Sequence, residues 1–350
     1  MLNFTHMKIF LDDSDCREQL FPFTHIRHVA EIRIGILTIR EKWEKLTGEY
    51  IYTTIQDKDD KFLKIKANII PTQNNYKSIL GISSGITVDT DIRSLEHPWQ
   101  IFQFNDWALR EDFELLTRYK ISRPISKTNH CVHEDQIFVS ENVEMEHCIL
   151  NASTGPIYLG KDATIMEGTM IRGPFAAGEG ATLKMGTKVY GATTIGPKCI
   201  AGGEIKNSVI FGHSNKAHDG YLGDSVIGEW CNLGAGTSNS NIKNTAGEVK
   251  YQLTADSKPG TAGVKGGLLM GDYSRAAINT SFNTGSVVGV CCNIFGRQFP
   301  GRYTPNFAWG DDKYEFEKAI RDIGNWKQLK GQTVSESETE LLKELYSLNL

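Results

Sequence analysis

Two short segments of the sequence hold the side chains best suited to proton transfer beside an anionic substrate. The first is Glu204-Ile205-Lys206, and the second runs from Lys216 through His218 to Asp224. Histidine is the side chain most easily poised to take a proton near neutral pH, and a carboxylate such as Glu204 can orient its ring. A neighbouring lysine can hold a phosphate. His213 meets the same description, so the residues alone leave two candidates for the base.

A six-residue repeat predicts the scaffold that carries these segments. Of 34 glycines, 27 lie between Gly155 and Gly301, which indicates many tight corners. Neither the helical period of 3.6 nor the strand period of 2 accounts for an apolar residue at every sixth position. The pattern predicts a mainly β fold, a parallel β-helix whose three short sides close a coil of about eighteen residues. A β-sandwich with regular turns is the alternative. The repeat has three registers: Leu159, Ile165, Ile171, Ala177, Leu183, Val189 and Ile195; Tyr221, Ile227 and Leu233; and Met270, Ala276, Phe282, Val288 and Ile294.

The three registers do not join evenly, and the two breaks predict where the coil departs from regularity. Ile195 and Tyr221 are 26 residues apart, and Leu233 and Met270 are 37 apart, neither of which is a multiple of six. We therefore expect a bulge or insertion within residues 204–220 and a loop excursion within 238–267. Loops on a rigid scaffold are where binding and catalytic residues concentrate.

The two ends of the chain have a different pattern. They divide it into a short α/β module at 1–125, a β-helix at 126–305 and C-terminal helices at 306–350. We expect the first module to cover one end of the coil, and the C-terminal helices to cap the other end or to pack on neighbouring subunits. The predicted elements are a strand at Lys8–Leu11, a helix from Asp106 to Tyr119, and helices that open at Thr38-x-x-Glu41, Asp312-x-x-Glu315 and Ser335-x-x-Glu338.

Composition excludes several classes of function. Lysine and arginine number 38 against 42 acidic residues, a net charge of −4, so nothing favours nucleic acid or an anionic membrane as a partner. No apolar run approaches the roughly 18–20 residues that cross a bilayer, and the first residues lack the pattern of an export signal. Seven scattered cysteines, never spaced C-x-x-C, favour reduced thiols in a cytoplasm over a disulfide framework or a zinc site.

The run from Gly203 to Thr237 resembles the acetyltransferase half of the bifunctional enzymes of bacterial UDP-N-acetylglucosamine synthesis. That family has V-E-M-K, then A-G-H-x-x-Y-L-G-D, then N-I-G-A-G-T, then an asparagine in a loop. The family joins an amino-terminal uridylyltransferase to a left-handed β-helix that acetylates glucosamine-1-phosphate. The resemblance therefore implies a left-handed parallel β-helix and a GlmU-like N-acetyltransferase that uses acetyl-CoA. The matching residues are Glu204, Lys206, His218, Tyr221-Leu222-Gly223-Asp224, Asn232-Leu233-Gly234-Ala235-Gly236-Thr237 and Asn241.

The resemblance also implies roles for the matched residues. His218 would act as general base on the sugar 2-amino group as it attacks the acetyl-CoA thioester. Glu204 would position His218, and Asn241 would lie beside it. By the same analogy the chain forms a homotrimer with its sites between subunits. The sugar phosphate would be held by Lys206, Tyr221 and Asn232.

Three parts of the family pattern have no clear equivalent. For the phosphate-binding arginine, Arg172 stands in a similar context but about one coil too far upstream, and Lys188 is its rival. For the second family lysine, past the asparagine loop, Lys243 or Lys250 can serve. The serine and alanine positions that line coenzyme A are not recognisable in residues 271–285, so no residue is assigned to the acyl donor.

The amino-terminal module departs further from the family. It lacks the glycine-rich L-A-A-G-x-G-T-R-M turn, and residues 7–46 resemble a short, divergent sugar-nucleotidyltransferase-type module found with this β-helix in Bacteroidetes. Asp12 and Asp13 are candidate Mg²⁺ ligands, and Arg17, Arg27 and Arg33 are candidate phosphate ligands. The alternative is a capping domain with ordinary surface charges. Two rival functions stay open: sugar-1-phosphate nucleotidyl transfer through this module, and a non-catalytic scaffold or binding protein.

Overall fold

The main body of the chain is a parallel β-helix, as the repeat predicts. The structure, a computed structural model, describes residues 8–55, 61–83, 92–296 and 299–348. Successive short strands stack in parallel into three sheets, and each sheet forms one face of the coil. The division of the chain into three domains stays a prediction, with the strands of the coil lying between His130 and Lys313.

We name the three faces by one residue each. The Glu204 face contains His130–Val132, Ile149–Asn151, Met170–Arg172, Lys188–Tyr190, Glu204–Lys206 and Tyr221–Gly223. The Ile195 face contains Ile137–Val139, Ile157–Leu159, Phe175–Ala177, Thr193–Ile195, Val209–Ile210, Val226–Ile227, Leu268–Met270, Ser286–Val288 and Tyr303–Thr304. The Asn232 face contains Glu144–Met145, Thr164–Ile165, Thr182–Leu183, Ile200–Ala201, Asn215–Lys216, Asn232–Leu233, Arg275–Ala276, Asn293–Ile294, Ala308–Trp309 and the antiparallel Asp312–Lys313.

One apolar side chain from each side of the coil points inward, and these side chains form a single continuous core. Every residue of the registers that start at Leu159 and Met270 is at most 5% exposed. Burying one such aliphatic side chain contributes roughly 1.5–3 kcal/mol. The middle register was wrong at Tyr221, which is only half-buried, because the inward residue of that strand is Leu222.

The first break in the repeat is not an insertion, contrary to the sequence expectation. Met170 pairs with Lys188, 18 residues on, but Lys188 pairs with Glu204 after 16 and Glu204 with Tyr221 after 17. Ile200 pairs with Asn215 after only 15. The coil therefore stays continuous through residues 204–220, and shorter turns shift the register.

The second break is a true excursion, as predicted. After Ser238–Asn239, which pairs in parallel with Ser281–Phe282, the chain leaves the coil and returns at Leu268–Met270. Between them, Val249–Tyr251 and Gly260–Gly263 form an antiparallel hairpin.

The amino-terminal module contains a three-stranded parallel sheet in the order Ile51–Tyr52, Lys8–Asp12, Phe62–Lys66. The predicted strand at Lys8 is confirmed, and so is the capping box of the first helix, in which Thr38 and Glu41 cap each other. The last helix of the module starts and ends slightly earlier than predicted. The remaining elements are the helices α1 (Ile39–Thr47), α2 (Tyr76–Ser83), α3 (Gln100–Gln103) and α4 (Asn105–Thr117), and the strand pairs Arg33–Ile34 with Leu37–Thr38 and Ile69–Ile70 with Arg93–Ser94.

This module packs against the side of the coil, not over its end as expected. Its core continues into outward-facing residues of the Ile195 face, including Val209, Phe211 and Val226. Two buried polar contacts support the same docking: the amide of Asn105 donates to Ala192 O at 3.0 Å, and the hydroxyl of Thr194 donates to Gly35 O at 2.8 Å. The outward residues of this face are apolar because a folded module covers them.

Two C-terminal helices, α5 (Phe316–Gln328) and α6 (Glu336–Ser347), lie along one edge of the coil. Their buried side chains pack on corner residues between the Ile195 and Asn232 faces, such as Trp230 and Tyr273. They therefore cover an edge of their own chain, which is neither of the two expected positions. The Ser335–Glu338 capping box of α6 is confirmed. Asp312 was wrong as a cap, because Asp312–Lys313 is a strand and α5 begins after Glu315 with no side-chain cap.

Candidate active site

Most of the predicted site residues form an outward-facing patch on the Glu204 face. Lys188, Glu204 and Tyr221 are in register on three successive strands. Lys206 lies beside them, paired with Tyr190 on one side and Gly223 on the other. Neighbouring strands are about 4.8 Å apart, so a small phosphorylated ligand can span these side chains.

Of the two candidates for the missing arginine, Lys188 lies nearer to Glu204. Lys188 is the direct register neighbour of Glu204. Arg172 ends the strand one coil earlier, which puts it about 10 Å from the strand of Lys206. Both side chains are exposed on the same face. The register therefore favours Lys188 as the cation beside Glu204, and Arg172 can reach only the rim of the patch.

Tyr190 is a member of this patch that the sequence analysis missed. Its hydroxyl donates a hydrogen bond of 2.5 Å to Glu204 Oε1, and the Nζ of Lys206 lies 5.5 Å from the centre of its ring. The hydrogen bond to the Glu204 carboxylate is the main reason that the pKa of Tyr190 rises to about 12. The signal was the alternation of the strand, which puts residues 188 and 190 on the same face.

His218 lies at the corner that leads from the Asn232 face to Tyr221, and its side chain is exposed. The corner one coil earlier is Gly202–Gly203, directly before Glu204. A Cβ on Gly202 would lie 2.5 Å from Ala217 O, and one on Gly203, at φ +75°, would lie 2.8 Å from His218 O. Glycine at both positions therefore lets the His218 corner stack closely beside Glu204.

The expected hydrogen bond between Glu204 and His218 is not formed in the described part of the chain. The Glu204 carboxylate instead accepts from Tyr190. His213, the rival base, lies at a different corner, where its ring stacks on Trp230 with centroids 4.4 Å apart. The geometry thus separates the two histidines: His218 lies beside the patch and His213 does not.

A buried lysine supports the His218 corner from inside the coil. Lys216 is in register with inward-facing Ala201 and is only 1% exposed. Its Nζ donates to two backbone carbonyls, at Gly202 and at His218. Burial lowers the pKa of Lys216 to about 8, and the nearby Asp219 carboxylate opposes this shift only in part. The side chain therefore links the corner of the predicted base to the corner next to Glu204.

Asn241 and Tyr221 belong to one hydrogen-bond network. The Asn241 amide donates to the Tyr221 hydroxyl at 3.0 Å and also to Asp224. Asp224 accepts from Asn207 at 2.6 Å through its other oxygen. Burial, more than any neighbouring charge, raises the pKa of Tyr221, so its hydroxyl stays protonated at ordinary pH. Asn241 therefore has a fixed orientation at the base of the excursion.

Asn232 is not brought to this patch within one chain. It lies on the Asn232 face, in register between Asn215 and Arg275. Asn215 in turn accepts a hydrogen bond from Lys330, which follows α5, at 3.1 Å. Asn232 can join Glu204 and Tyr221 only if a second copy of the chain presents it.

The two candidates for the second lysine lie on the excursion. Lys243 donates its Nζ to Glu248 O. Lys250 is exposed on the first strand of the hairpin, between the buried Val249 and Tyr251. Neither lysine contacts the patch in a described hydrogen bond.

The charged residues predicted in the amino-terminal module have partners of their own. Asp13 binds Arg17 at 2.9 Å and His28 at 3.4 Å, and Asp12 accepts from Ser14 N at 3.1 Å. That hydrogen bonding with Ser14 is the main cause that lowers the pKa of Asp12. In the described ranges there is no group of three or more His, Cys, Asp or Glu that could hold a metal. Asp12 and Asp13 stay predicted magnesium ligands, and we derive no step through that ion.

The predicted phosphate ligands Arg27 and Arg33 lie close to carboxylates. Arg27 forms ion pairs with Asp272 at 2.7 Å and Glu229 at 3.1 Å, both on the coil. Arg33 lies 3.5 Å from Glu41. Arg27 thus ties the module to the β-helix, which is the capping alternative for this charge.

Comparison with known proteins identifies relatives over both parts of the chain. Residues 8–86 match the family described as sugar nucleotidyl transferase. A bifunctional protein GlmU from Methanococcus maripaludis is 24% identical over 71% of this chain and 56% of its own length. A bifunctional sugar-1-phosphate nucleotidylyltransferase/acetyltransferase from Sulfurisphaera tokodaii is 32% identical over 57% of this chain and 43% of its own. The chain is a relative of the GlmU-like bifunctional transferases.

The GlmU-like chain spans about half the length of these two relatives. Its structure also overlaps that of an Arabidopsis UDP-N-acetylglucosamine acyltransferase, at 16% identity over 64% of this chain and 92% of the other. The TM-score of 0.24 is too low to carry an argument. Among the described residues, no helix is long and apolar enough to cross a membrane.

Lys216 gives this GlmU-like chain a measurable dependence of stability on pH. An unfolded lysine has a pKa near 10.4, and folded Lys216 has one of about 8. Between these values the unfolded chain binds more protons, so this residue makes the free energy of unfolding rise with pH. We expect the free energy of unfolding of the wild type, relative to Lys216→Met, to increase by about 2–3 kcal/mol from pH 7 to pH 10 in urea titrations.

Lys184→Met is the matched control, because Lys184 is an exposed lysine at a corner of the same coil. Its stability difference from the wild type should stay constant over the same pH range. A constant difference for Lys216→Met as well would show that the Lys216 ammonium is not held inside the coil.

Proposed function

We propose that this chain transfers the acetyl group of acetyl-CoA to the 2-amino group of an amino-sugar 1-phosphate, most simply glucosamine-1-phosphate, in UDP-N-acetylglucosamine biosynthesis. The observation that carries the proposal is the placement of His218 and Asn241 beside one patch that contains Lys188, Glu204 and Lys206. These are a proton acceptor, an amide donor and two cations within reach of one small substrate. The relation to the GlmU-like transferases supports the same reaction class.

The reaction needs a neutral amine and a place for its proton. His218 takes the proton as the amine nitrogen bonds to the thioester carbon, and the C–S bond then breaks to release coenzyme A, which takes up a proton. Lys188 and Lys206 hold the sugar phosphate, and Tyr190 and Glu204 fix the edge of the patch next to Lys206. The amide of Asn241 is already oriented by Tyr221 and Asp224, so it can bind a polar group beside the base.

We propose a homotrimer as the active form. Glu204 and Asn232 lie on different faces of the triangular coil, so a cyclic assembly can present Asn232 of one copy to the Glu204 face of the next. All seven cysteines are free thiols, which fits a reducing cytoplasm. The acyl donor would bind along the same groove between copies.

A second candidate activity is nucleotidyl transfer, because residues 8–86 match the sugar nucleotidyl transferase family. The ion pairs of Arg27 and Asp13 count against it, since these charges already have partners. Purified protein should release free thiol with glucosamine-1-phosphate and acetyl-CoA. Pyrophosphate release from UTP and N-acetylglucosamine-1-phosphate would establish the second activity, and turnover with neither pair would favour a scaffold.

His218→Ala is expected to lower thiol release by about 10²-fold or more, because the amine loses its proton acceptor. His147→Ala is the matched control, since His147 is exposed at an equivalent corner further down the coil, before Ile149–Asn151. His213→Ala tests the rival base directly. An unchanged rate in His218→Ala would remove this residue from the mechanism.

Tyr190→Phe is expected to lower kcat about 10-fold, which corresponds to the loss of one hydrogen bond to a charged group. The phenyl ring keeps its packing against Lys206, so the KM for glucosamine-1-phosphate should change little. Tyr158→Phe is the control, because Tyr158 stacks on Phe138 on the Ile195 face, away from the patch. Equal effects of both substitutions would show that the hydroxyl of Tyr190 does not position Glu204.

A further inference from the structure

We propose that the amino-terminal module positions Asn241 through a contact between Trp99 and Tyr251. This inference rests on the proposed function only for the role of Asn241 in acetyl transfer. The structural link itself can be measured without activity.

The excursion has a narrow neck, and Asn241 lies in it. Asn241 O accepts from Gly266 N at 2.9 Å, and Ile242 and Lys265 form an antiparallel bridge next to this bond. The two sides of the excursion therefore meet at Asn241. Any displacement of the returning side, residues 264–267, changes the backbone that carries its amide.

Beyond the neck, the hairpin of the excursion packs on the amino-terminal module. The rings of Trp99 and Tyr251 stack with centroids 5.3 Å apart and planes 12° apart. Gln103 Nε2 donates to Ala262 O at 2.8 Å. The approach is so close that a Cβ on Gly260 would lie 2.5 Å from the Trp99 ring. An isolated two-stranded hairpin is marginally stable in water, so this contact holds it in one position.

Tyr251 transmits that position back to the neck. Its ring is fully buried, and its hydroxyl donates to Gly267 O at 3.2 Å. Gly267 follows Gly266, whose N–H binds Asn241, and Gly267 N donates to Asp224 O at 2.8 Å. Asp224 is itself the second partner of the Asn241 amide. An unbroken set of contacts thus runs from Trp99 to the Asn241 side chain.

The module therefore acts on the acetyl-transfer site as a brace. Closing a long excursion in one conformation costs entropy, and the stack on Trp99 offsets that cost. Trp99 and Tyr251 are positioning residues, because neither reaches the patch on the Glu204 face. This role explains why a module whose charges are engaged in ion pairs still matters for acetyl transfer.

The test uses the full chain and hydrogen exchange followed by mass spectrometry. In Trp99→Leu we expect amide exchange about 10-fold faster across the neck, at 240–248 and 264–267, with no change at 157–183 of the coil. The kcat for thiol release should fall about 10-fold with little change in KM. Trp107→Leu is the matched control, since the Trp107 ring lies 4.5 Å from the guanidinium of Arg93 in the same module.

Tyr251→Phe tests the same link if Trp99→Leu fails to fold, because it removes one hydroxyl and leaves the stack. It should speed exchange at the neck and not within Gly260–Gly263. Faster exchange confined to the hairpin, with the neck unchanged, would overturn the inference. A wild type that shows no thiol release would instead refute the proposed function, and exchange at the neck would still decide the link.

Discussion

The stacking of coils in parallel register is the constraint on which the rest of this structure depends. Each coil contributes one inward side chain per face, and its backbone hydrogen bonds fix the next coil about 4.8 Å away. Outward side chains on neighbouring strands are then held at the same spacing without any further support. This is why a patch can be assembled from residues as far apart in sequence as Lys188 and Tyr221. A change in coil length moves every later side chain around the coil.

The fold was largely predictable from the sequence, because the apolar period of six has a direct physical meaning. The inward positions from Leu159 to Ile195 and from Met270 to Ile294 were confirmed. The register between them was not predictable, because coils of 15 to 17 residues leave no regular pattern to count. Tyr221 was therefore assigned inward, although Leu222 takes that place.

The patch was predicted in part, and the gaps have physical reasons. His218, Glu204, Lys206 and Tyr221 were identified by their spacing, whereas Tyr190 was missed because its partner Glu204 is close only across a strand pair. That the Asn232 residue faces elsewhere could not be known before the faces were assigned. The docking of the first module on a side of the coil depends on which outward residues are apolar, and that again needs the register.

Polar residues inside the coil are concentrated where the proposed chemistry lies. Lys216 and Asn239 take inward positions that aliphatic residues hold elsewhere. Asn239 exchanges hydrogen bonds with Gly223 through both its oxygen and its amide. Buried polar groups of this kind stabilise only if every partner is present. They therefore specify one backbone geometry at the corners of His218 and Asn241.

The ion pairs of Arg27 place the same demand on the interface between the module and the coil. Burial alone would lower the pKa of this guanidinium, but the Asp272 and Glu229 carboxylates outweigh that effect and raise it. Separating the module from the coil would expose or unpair these charges, and breaking a buried pair typically costs about 3–5 kcal/mol. Together with the apolar contacts of Phe23 on Phe211, whose rings lie 5.4 Å apart, this makes the interface part of the folded core. A module held so firmly can fix the excursion that it touches, and this rigidity is what a brace for Asn241 requires.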